Sequence, residues 1–343
     1  MARWLIGHPG PQFSVADMYV GWAEALQDLG EEVFGFNMDR RLQFYDAALL
    51  RPEGQSETYK AMTREQAVGR AVCTIYEELY KWWPHYVLLI SAFWYPPQIL
   101  DLMRSRGHKV ILLHSESPYQ DEEQLQRAAH ADLNLVNDPV SLHRYKALGV
   151  PARYMPHCYR ETVHYPRKPR ARYHHDLAFI GTGFPSRVKF FEQMDLTGLN
   201  VRLAGPWLDL PEDSPLRDWT MTDDEACVDN TDTAETYRRS RTGINFYRRE
   251  GEDDWDRQAV AIGPREVELA ACGTWFARDP RPESDELFPM LPSFTSPAEA
   301  GELIRWAVAH PRPRQKAATA AREAVADRTF GNNARRLLKL LDK

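Results

Sequence analysis

A pair of glycines follows an apolar run in the sequence LAFIGTGFPSR, at residues 177–187. The run predicts a strand, and a helix is predicted to begin near Ser186. A turn between a strand and a helix exposes backbone N–H groups at the positive end of the helix dipole, where phosphate binds. Arg187 would add a bidentate contact. The pattern indicates a phosphate site formed by Gly181, Thr182, Gly183 and Arg187, although a plain tight turn has the same letters.

A second motif, GPREVELAACG, spans residues 263–273. Pro264 is typical of a helix start. Arg265 in the first turn opposes the helix dipole, which indicates that an anion compensates it, and a diphosphate would do so. Glu268 lies one turn further along and could accept hydrogen bonds from a ribose diol. The alternative interpretation is an amphipathic helix whose small residues pack closely.

Candidate catalytic bases follow the predicted strands of the first half. His8 comes after the first strand, and His114 and Glu116 come after the strand predicted at 109–113. Their side chains would lie at the carboxyl ends of parallel strands, where general bases are commonly placed. Each of them could equally be a structural residue.

One sequence fits the Asp-x-Asp pattern of a metal-dependent transferase, namely Asp254 and Asp256. It lies in an acidic stretch after Arg248 and not beside a predicted strand. We therefore predict that it binds no metal and that the chain has no metal site.

Short apolar runs alternate with helical patterns, which predicts parallel sheets built from βαβ units. The pattern predicts one long helix from Glu57 to Trp83 and a helical tail from Gln315 to Leu341. The predicted strands lie at residues 3–6, 33–36, 86–90, 109–113, 132–136, 176–180, 201–204, 242–246, 274–277 and 293–295.

The pattern is interrupted by a segment rich in proline and charge, which predicts a linker. The predicted organisation is an N-terminal Rossmann-like domain at 1–160, a linker at 161–175, a C-terminal Rossmann-like domain at 176–325 and a final helix at 326–343. Two such domains would face each other across a ligand-binding cleft. No GxGxxG follows the first strand, so a dinucleotide cofactor is not expected there.

The composition argues against a zinc protein, a disulfide-bonded protein and a membrane-spanning protein. The chain has 343 residues, a net charge of −6 and four scattered cysteines. Scattered cysteines argue against a zinc site and a disulfide framework, and they are typical of a reducing compartment. No apolar run is long enough to span a bilayer. We expect a soluble protein of the cytoplasm, or of the host cytoplasm if a phage encodes it.

Taken together, the motifs resemble the glycosyltransferase family typified by the spore maturation protein CgeB, a GT-B group related to the group 1 glycosyltransferases. The resemblance covers nearly the whole chain and is weakest over the first 80 residues. Its motifs are FIGTGFPSR at 179–187, LAGPW at 203–207, the Arg-x-x-Glu helix at 265–268 that ends in Ala-Cys-Gly, ESPY at 116–119 and RTFGNNARRLL at 328–338.

The resemblance implies a nucleoside-diphosphate sugar, of UDP type, bound by the C-terminal domain. Glu268 would hold the ribose, Arg265 and Arg187 the diphosphate, and the Gly181–Gly183 turn and Trp207 would complete the donor site. The last helix would return toward the first domain. The group 1 enzymes carry a further glutamate eight residues before the ribose-binding one, where this chain has Val260. Glu266 is the nearest acid.

Two alternatives stay open. Between Arg144 and Arg172 the sequence has eight Lys or Arg residues against one acid, Glu161. This segment is either a solvated surface or a contact for the phosphate backbone of DNA. In the second case the acceptor would be a hydroxymethylated pyrimidine, as bacteriophages make. The other alternative is a catalytically inactive coat or assembly protein with the same fold.

Overall fold

The computed structural model describes residues 1–10, 16–47, 63–166, 172–207, 210–220, 227–251 and 258–342. The chain forms two compact units, Met1–Met155 and Pro156–Lys343. Each unit contains one parallel sheet with helices. The predicted α/β class with two parallel sheets is therefore confirmed.

The first unit contains a six-stranded sheet in the order β2-β1-β3-β4-β5-β6. Every pairing in it is parallel, so its carboxyl ends share one edge. The central strand β3, YVLLI, is buried at four of its five residues, because helices cover both faces of a parallel sheet. The strands are β1 (Arg3–Gly7), β2 (Glu32–Phe36), β3 (Tyr86–Ile90), β4 (Lys109–His114), β5 (Leu133–Val136) and β6 (Ala152–Tyr154).

Seven described α-helices accompany this sheet. They are α1 (Ala16–Asp28), α2 (Met38–Ala47), α3 (Arg64–Cys73), α4 (Ile75–Trp82), α5 (Pro97–Ser105), α6 (Asp121–Ala128) and α7 (Leu142–Ala147).

The second unit contains a four-stranded parallel sheet in the order β10-β9-β7-β8. Its strands are β7 (His175–Ile180), β8 (Val201–Ala204), β9 (Ser240–Asn245) and β10 (Trp275–Arg278). Its described α-helices are α8 (Pro185–Glu192), α9 (Asn230–Arg238), α10 (Pro264–Ala271), α11 (Pro282–Leu287), α12 (Pro297–Ala309), α13 (Pro311–Ala324) and α14 (Phe330–Leu341).

Nine of the ten predicted strands are present within two residues of their expected ends. The tenth, at 293–295, is wrong, since Ser293 forms only an isolated bridge with Arg278. β7 begins at His175, the last residue of the predicted linker.

The predicted long helix is divided. Residues 57–62 lie outside the described part, and α3 and α4 are separated at Thr74. The Thr74 hydroxyl donates to the carbonyl of Ala71 at 2.6 Å, the acceptor that the Ile75 amide would use in a continuous helix.

The predicted tail is also two helices, α13 and α14. Between them, Thr329 caps α14 by accepting from the Asn332 amide at 3.2 Å and forms a parallel bridge with Tyr159.

None of the described helices has both the length and the apolar character that crossing a bilayer requires. The four cysteines are free thiols.

Candidate functional site

The predicted donor residues converge on the carboxyl edge of the second sheet. Gly181 follows β7, Gly205 follows β8, and Asn245 ends β9. Helix α10 begins at Pro264 and brings Arg265 to the same edge. Ligands of open α/β sheets bind at this edge, so this is the candidate functional site of the second unit.

The turns after β7 and β8 are bonded to each other. The amide of Gly181 donates to Ala204 O at 2.9 Å, and the amide of Gly183 donates to Pro206 O at 2.8 Å. Gly205 has a φ of +113°, and a Cβ atom there would lie 2.7 Å from Gly181 O. The two glycine amides predicted to bind phosphate are therefore already engaged within the protein.

The start of α8 is occupied by a carboxylate. Glu250 accepts from the Ser186 amide at 2.8 Å and from the Ser186 hydroxyl at 2.9 Å. Burial would raise the pKa of Glu250, but these hydrogen bonds and that of Arg249 hold it below its ordinary value. The positive end of this helix thus faces an anion from the chain itself.

Arg187 is buried beneath the turn and forms hydrogen bonds with backbone carbonyl groups. Its side chain is 7% exposed and donates from Nη1 to Thr182 O at 2.9 Å and from Nε to Phe246 O at 3.3 Å. The structure therefore places Arg187 behind the turn, where it links the carbonyl oxygen of Thr182 to that of Phe246.

Arg265 is more accessible than Arg187. Its Nε donates to Ile180 O at 2.9 Å and its Nη1 donates to Asn245 Oδ1 at 2.8 Å. Both acceptors are neutral, and within the described residues Arg265 forms no ion pair with a carboxylate. Its positive charge lies at the first turn of α10, where the helix dipole disfavours a cation. An external anion would stabilise this arrangement.

One aromatic ring supports both guanidinium groups. The Arg265 guanidinium lies 4.4 Å from the centroid of Phe179, and that of Arg187 lies 5.2 Å from it. Phe179 itself is fully buried. These cation–π contacts orient the two charges around the turn.

Glu268 is half-buried on α10, three residues after Arg265. Side chains three apart on a helix share a face. Asn230 Nδ2 donates to Glu268 Oε1 at 3.4 Å, a long hydrogen bond. Arg265 and Glu268 can therefore contact one extended ligand.

Glu266 is fully buried and does not reach the surface of the described structure. The Tyr247 hydroxyl donates to its Oε2, and the Ser284 hydroxyl donates to its Oε1 at 2.8 Å. Burial raises the pKa of Glu266 to about 7, although these hydrogen bonds and Arg281 oppose the shift. Glu266 is therefore a core residue. A carboxylate that contacts the sugar would have to be exposed at the site, and Glu266 is not.

Trp207 is 2% exposed and packs against the second glycine of the turn. A Cβ atom at Gly183 would lie 2.5 Å from the indole ring. Its ring also makes an edge contact with Phe179, with centroids 6.1 Å apart. The structure thus gives Trp207 a packing role beneath the turn.

In the first unit, His8 follows β1 and is half-buried. The Gly10 amide donates to His8 Nδ1 at 3.1 Å, so the neutral ring carries its proton on Nε2. Burial lowers the pKa of His8, and Asp39 partly offsets this effect. In this arrangement a neutral His8 offers a hydrogen-bond donor at Nε2, not a base.

His114 is the last residue of β4 and is 1% exposed. Its Nε2 is 2.8 Å from Asn134 Oδ1, so Nε2 carries the proton. Burial lowers the pKa of His114 to about 4. The side chain is therefore neutral and enclosed near neutral pH. Its catalytic role stays a prediction that this burial does not favour.

Glu116 follows β4 and is half-buried. Its amide donates to Gln124 Oε1 at 3.2 Å, and its carbonyl accepts from the Gln120 amide at 3.0 Å. These contacts fix its backbone at the start of α6. Of the three predicted bases, Glu116 is the one carboxylic acid, and the residue is half-buried.

The basic segment 144–172 is described only in part. Arg144 pairs with Glu122 and with Asp121, the latter at 3.4 Å, so acids compensate its charge. Arg167, Lys168 and Arg170 lie outside the described residues, as do Asp254 and Asp256. No group of three potential metal ligands occurs within the described ranges.

The sequence did not single out Asn245, and Phe179 and Gly205 were named only as parts of motifs, without a role of their own. Asn245 is a polar residue at the buried carboxyl end of a predicted strand, a signal that could have been used. The roles of Phe179 and Gly205 depend on contacts between distant segments, which no local pattern shows.

The second unit is similar in sequence to a known family. Residues 187–341 match the glycosyl transferase-like family model. The match covers most of the second unit and does not distinguish a CgeB-like group. No curated protein sequence matched the chain.

Solved structures match over the whole chain. An α-glucosyltransferase in complex with UDP has a TM-score of 0.66 at 11% identity, with 100% of both chains covered. Sucrose-phosphate synthase from Thermosynechococcus elongatus has a TM-score of 0.65 at 13% identity, covering 100% of this chain and 98% of that one. Anabaena HepE in complex with UDP-glucose has a TM-score of 0.61 at 10% identity, with both chains fully covered.

At these identities the likeness shows the fold, which is GT-B. The second unit is similar over residues 187–341 to the glycosyl transferase-like family.

Proposed function

We propose that this protein transfers a glycosyl group from a nucleoside-diphosphate sugar of UDP type to a hydroxyl acceptor, without a metal ion. The observation that supports this most is Arg265, a cation at the carboxyl edge of the second sheet whose described partners are neutral. Two similar structures contain UDP or UDP-glucose, which supports the choice of base.

In this proposal Arg265 stabilises the leaving group. The bond between the anomeric carbon and the diphosphate oxygen breaks, and the diphosphate takes the bonding electrons. A guanidinium held in place before the reaction stabilises this charge without reorganising. The hydrogen bonds to Ile180 and Asn245 hold the group in place.

Glu268 would accept hydrogen bonds from the ribose hydroxyls. It shares a face of α10 with Arg265, and the diphosphate adjoins the ribose in every nucleoside diphosphate. Both contacts therefore require one donor molecule lying along this helix. Gly181 and Thr182 are the partly exposed residues of the turn beside it.

The acceptor hydroxyl forms the new bond to the anomeric carbon and loses its proton. We assign the acceptor to the first unit, with His8 Nε2 as a hydrogen-bond donor and Glu116 as the candidate base. A DNA acceptor would need the charges of the 144–172 segment, and the pairing of Arg144 with two acids weakens that alternative.

The test is turnover of UDP-sugars by the purified chain in EDTA. We expect UDP release from at least one UDP-sugar, unchanged by the chelator. Activity that is lost in EDTA and restored by manganese would contradict metal independence. For the acceptor, duplex DNA binding that weakens steeply with salt would favour the DNA alternative.

A further inference from the structure

The second sheet has another opening at its opposite edge. A cavity of about 330 Å³ lies where β9 and β10 begin, and Ser240, Gly273 and Thr274 line it. Asn245, at the other end of β9, belongs to the candidate donor site. At about 3.3 Å per residue, the two ends of β9 are roughly 17 Å apart. The cavity is therefore distinct from the donor site.

Three arginines line this cavity, namely Arg238, Arg241 and Arg314. Arg238 pairs with Glu235 at 3.0 Å, and Arg241 pairs with Asp176. Arg314 forms no ion pair within the described residues, and its Nη1 donates to Ala307 O at 2.9 Å. Its side chain is 5% exposed. The Ala307 carbonyl lies in the last turn of α12, whose negative dipole end offsets part of the Arg314 charge. An anion in the cavity would offset more of it.

Two hydroxyl groups of the wall are already used within the protein. The hydroxyls of Ser240 and Thr274 each donate to a backbone carbonyl at 2.7 Å, those of Thr236 and Tyr237. Among the lining residues that the structure describes, none is Asp or Glu. The guanidinium groups and the Gln315 amide are thus side-chain donors that can face a ligand.

Two of the three arginines share an aromatic neighbour. Tyr173 lies 5.5 Å from the Arg314 guanidinium and 6.0 Å from that of Arg241, measured to the ring centroid. Arg314 is also in the first turn of α13, where the helix dipole adds to its positive potential. The charges of Arg314 and Arg241 are therefore both close to Tyr173.

We propose that this cavity is a second anion site, which binds a small phosphate-bearing molecule. Guanidinium forks match the oxygens of a phosphate group. The volume lies at the lower end of the range for small-ligand pockets, about 300–1,000 Å³. A nucleic-acid backbone would instead need an extended basic surface.

The test is thermal unfolding of the full chain titrated with inorganic phosphate, with chloride adjusted to keep the ionic strength constant. A ligand that binds only the folded state raises the melting temperature. Because the donor site could also bind phosphate, the titration is repeated in Arg265→Ala. We expect a phosphate-dependent rise to persist in Arg265→Ala.

The variants Arg314→Gln and Arg241→Gln each remove one charge from the cavity. We expect at least a tenfold loss of apparent phosphate affinity in both, read from the phosphate-dependent rise and not from the starting stability. Arg312→Gln, on the exposed side of α13, is the matched control and should behave as the wild type.

Three results would overturn the proposal. One is a wild type whose melting temperature does not respond to phosphate. The second is an unchanged phosphate response in both cavity variants, or a response lost only in Arg265→Ala. The third is a short oligonucleotide that produces an Arg314-dependent rise when phosphate produces none.

Discussion

The guanidinium group of Arg265 lies in the space beside Gly181 that a Cβ atom would fill. A hydrogen bond of 2.9 Å from Arg265 Nε to the carbonyl of Ile180 fixes this approach. The absence of a side chain at Gly181 therefore leaves room for the Arg265 guanidinium, and we expect the donor site to depend on both residues.

Gly181→Ala should weaken donor binding more than it weakens the fold. The added methyl group would overlap Arg265 Nη2, the end of a flexible side chain that can move away. We expect at least a tenfold loss of UDP affinity by calorimetry.

Gly198→Ala is the matched control for backbone strain. Gly198 has a φ of +73°, and a Cβ atom there would have no neighbour within 4 Å. Alanine in this region costs about 1–2 kcal/mol in stability. Equal UDP affinities in the two alanine variants would show that Gly181 does not position Arg265.

Arg265→Lys keeps the charge but loses the planar fork that contacts Ile180 and Asn245. A charge-assisted hydrogen bond is worth about 1.5–3 kcal/mol, which corresponds to roughly a tenfold to hundredfold loss of nucleotide affinity. Arg305→Lys changes a partly exposed arginine of α12 that pairs with Asp195. It is the control and should leave affinity unchanged. A lysine variant that binds and turns over like the wild type would exclude the proposed role of Arg265.

Glu268→Gln tests the ribose contact. The amide keeps the shape but loses the charge, so donor affinity should fall by about tenfold. Asn230→Ala removes the hydrogen bond of 3.4 Å to Glu268 and leaves the carboxylate in place, so it should change affinity less. If Glu268→Gln instead lowers the melting temperature at unchanged affinity, Glu268 is a structural residue.

Glu266 should make stability fall as the pH rises. Its pKa is about 7 in the folded state and about 4.3 in an unfolded chain, so between these values the folded state holds a proton that the unfolded state releases. Protonation therefore stabilises the fold below about pH 4.3, and this contribution is lost as the pH rises toward 7.

Melting temperatures measured from pH 5 to pH 8 in the wild type and in Glu266→Gln would check this. The glutamine variant should lose less stability over the range, whereas Glu302→Gln, an exposed control, should follow the wild type. Parallel curves for all three proteins would show that Glu266 does not titrate as its burial predicts.

Much of the fold could be predicted from sequence because the central parallel strands are buried on both faces. The runs at 86–90 and 177–180 are apolar for this reason. The helix ends at Thr74 and Thr329 depend on single hydroxyl hydrogen bonds and were missed.

The candidate site was predictable in part. Arg265 could be selected because a cation in the first turn of a helix opposes the dipole. Its partner Ile180 lies 85 residues away, so no local pattern shows the contact. Likewise, Glu266 and Arg265 are neighbours in sequence, and only packing shows that one is buried and the other faces the turn.

Calorimetric titration of UDP into the chain in EDTA, with Arg265→Ala in parallel, shows whether Arg265 holds the donor diphosphate without a metal ion. We predict that UDP binds the wild type without metal and binds the variant at least tenfold more weakly. Absence of UDP binding to the wild type, or equal affinity for both proteins, would contradict it.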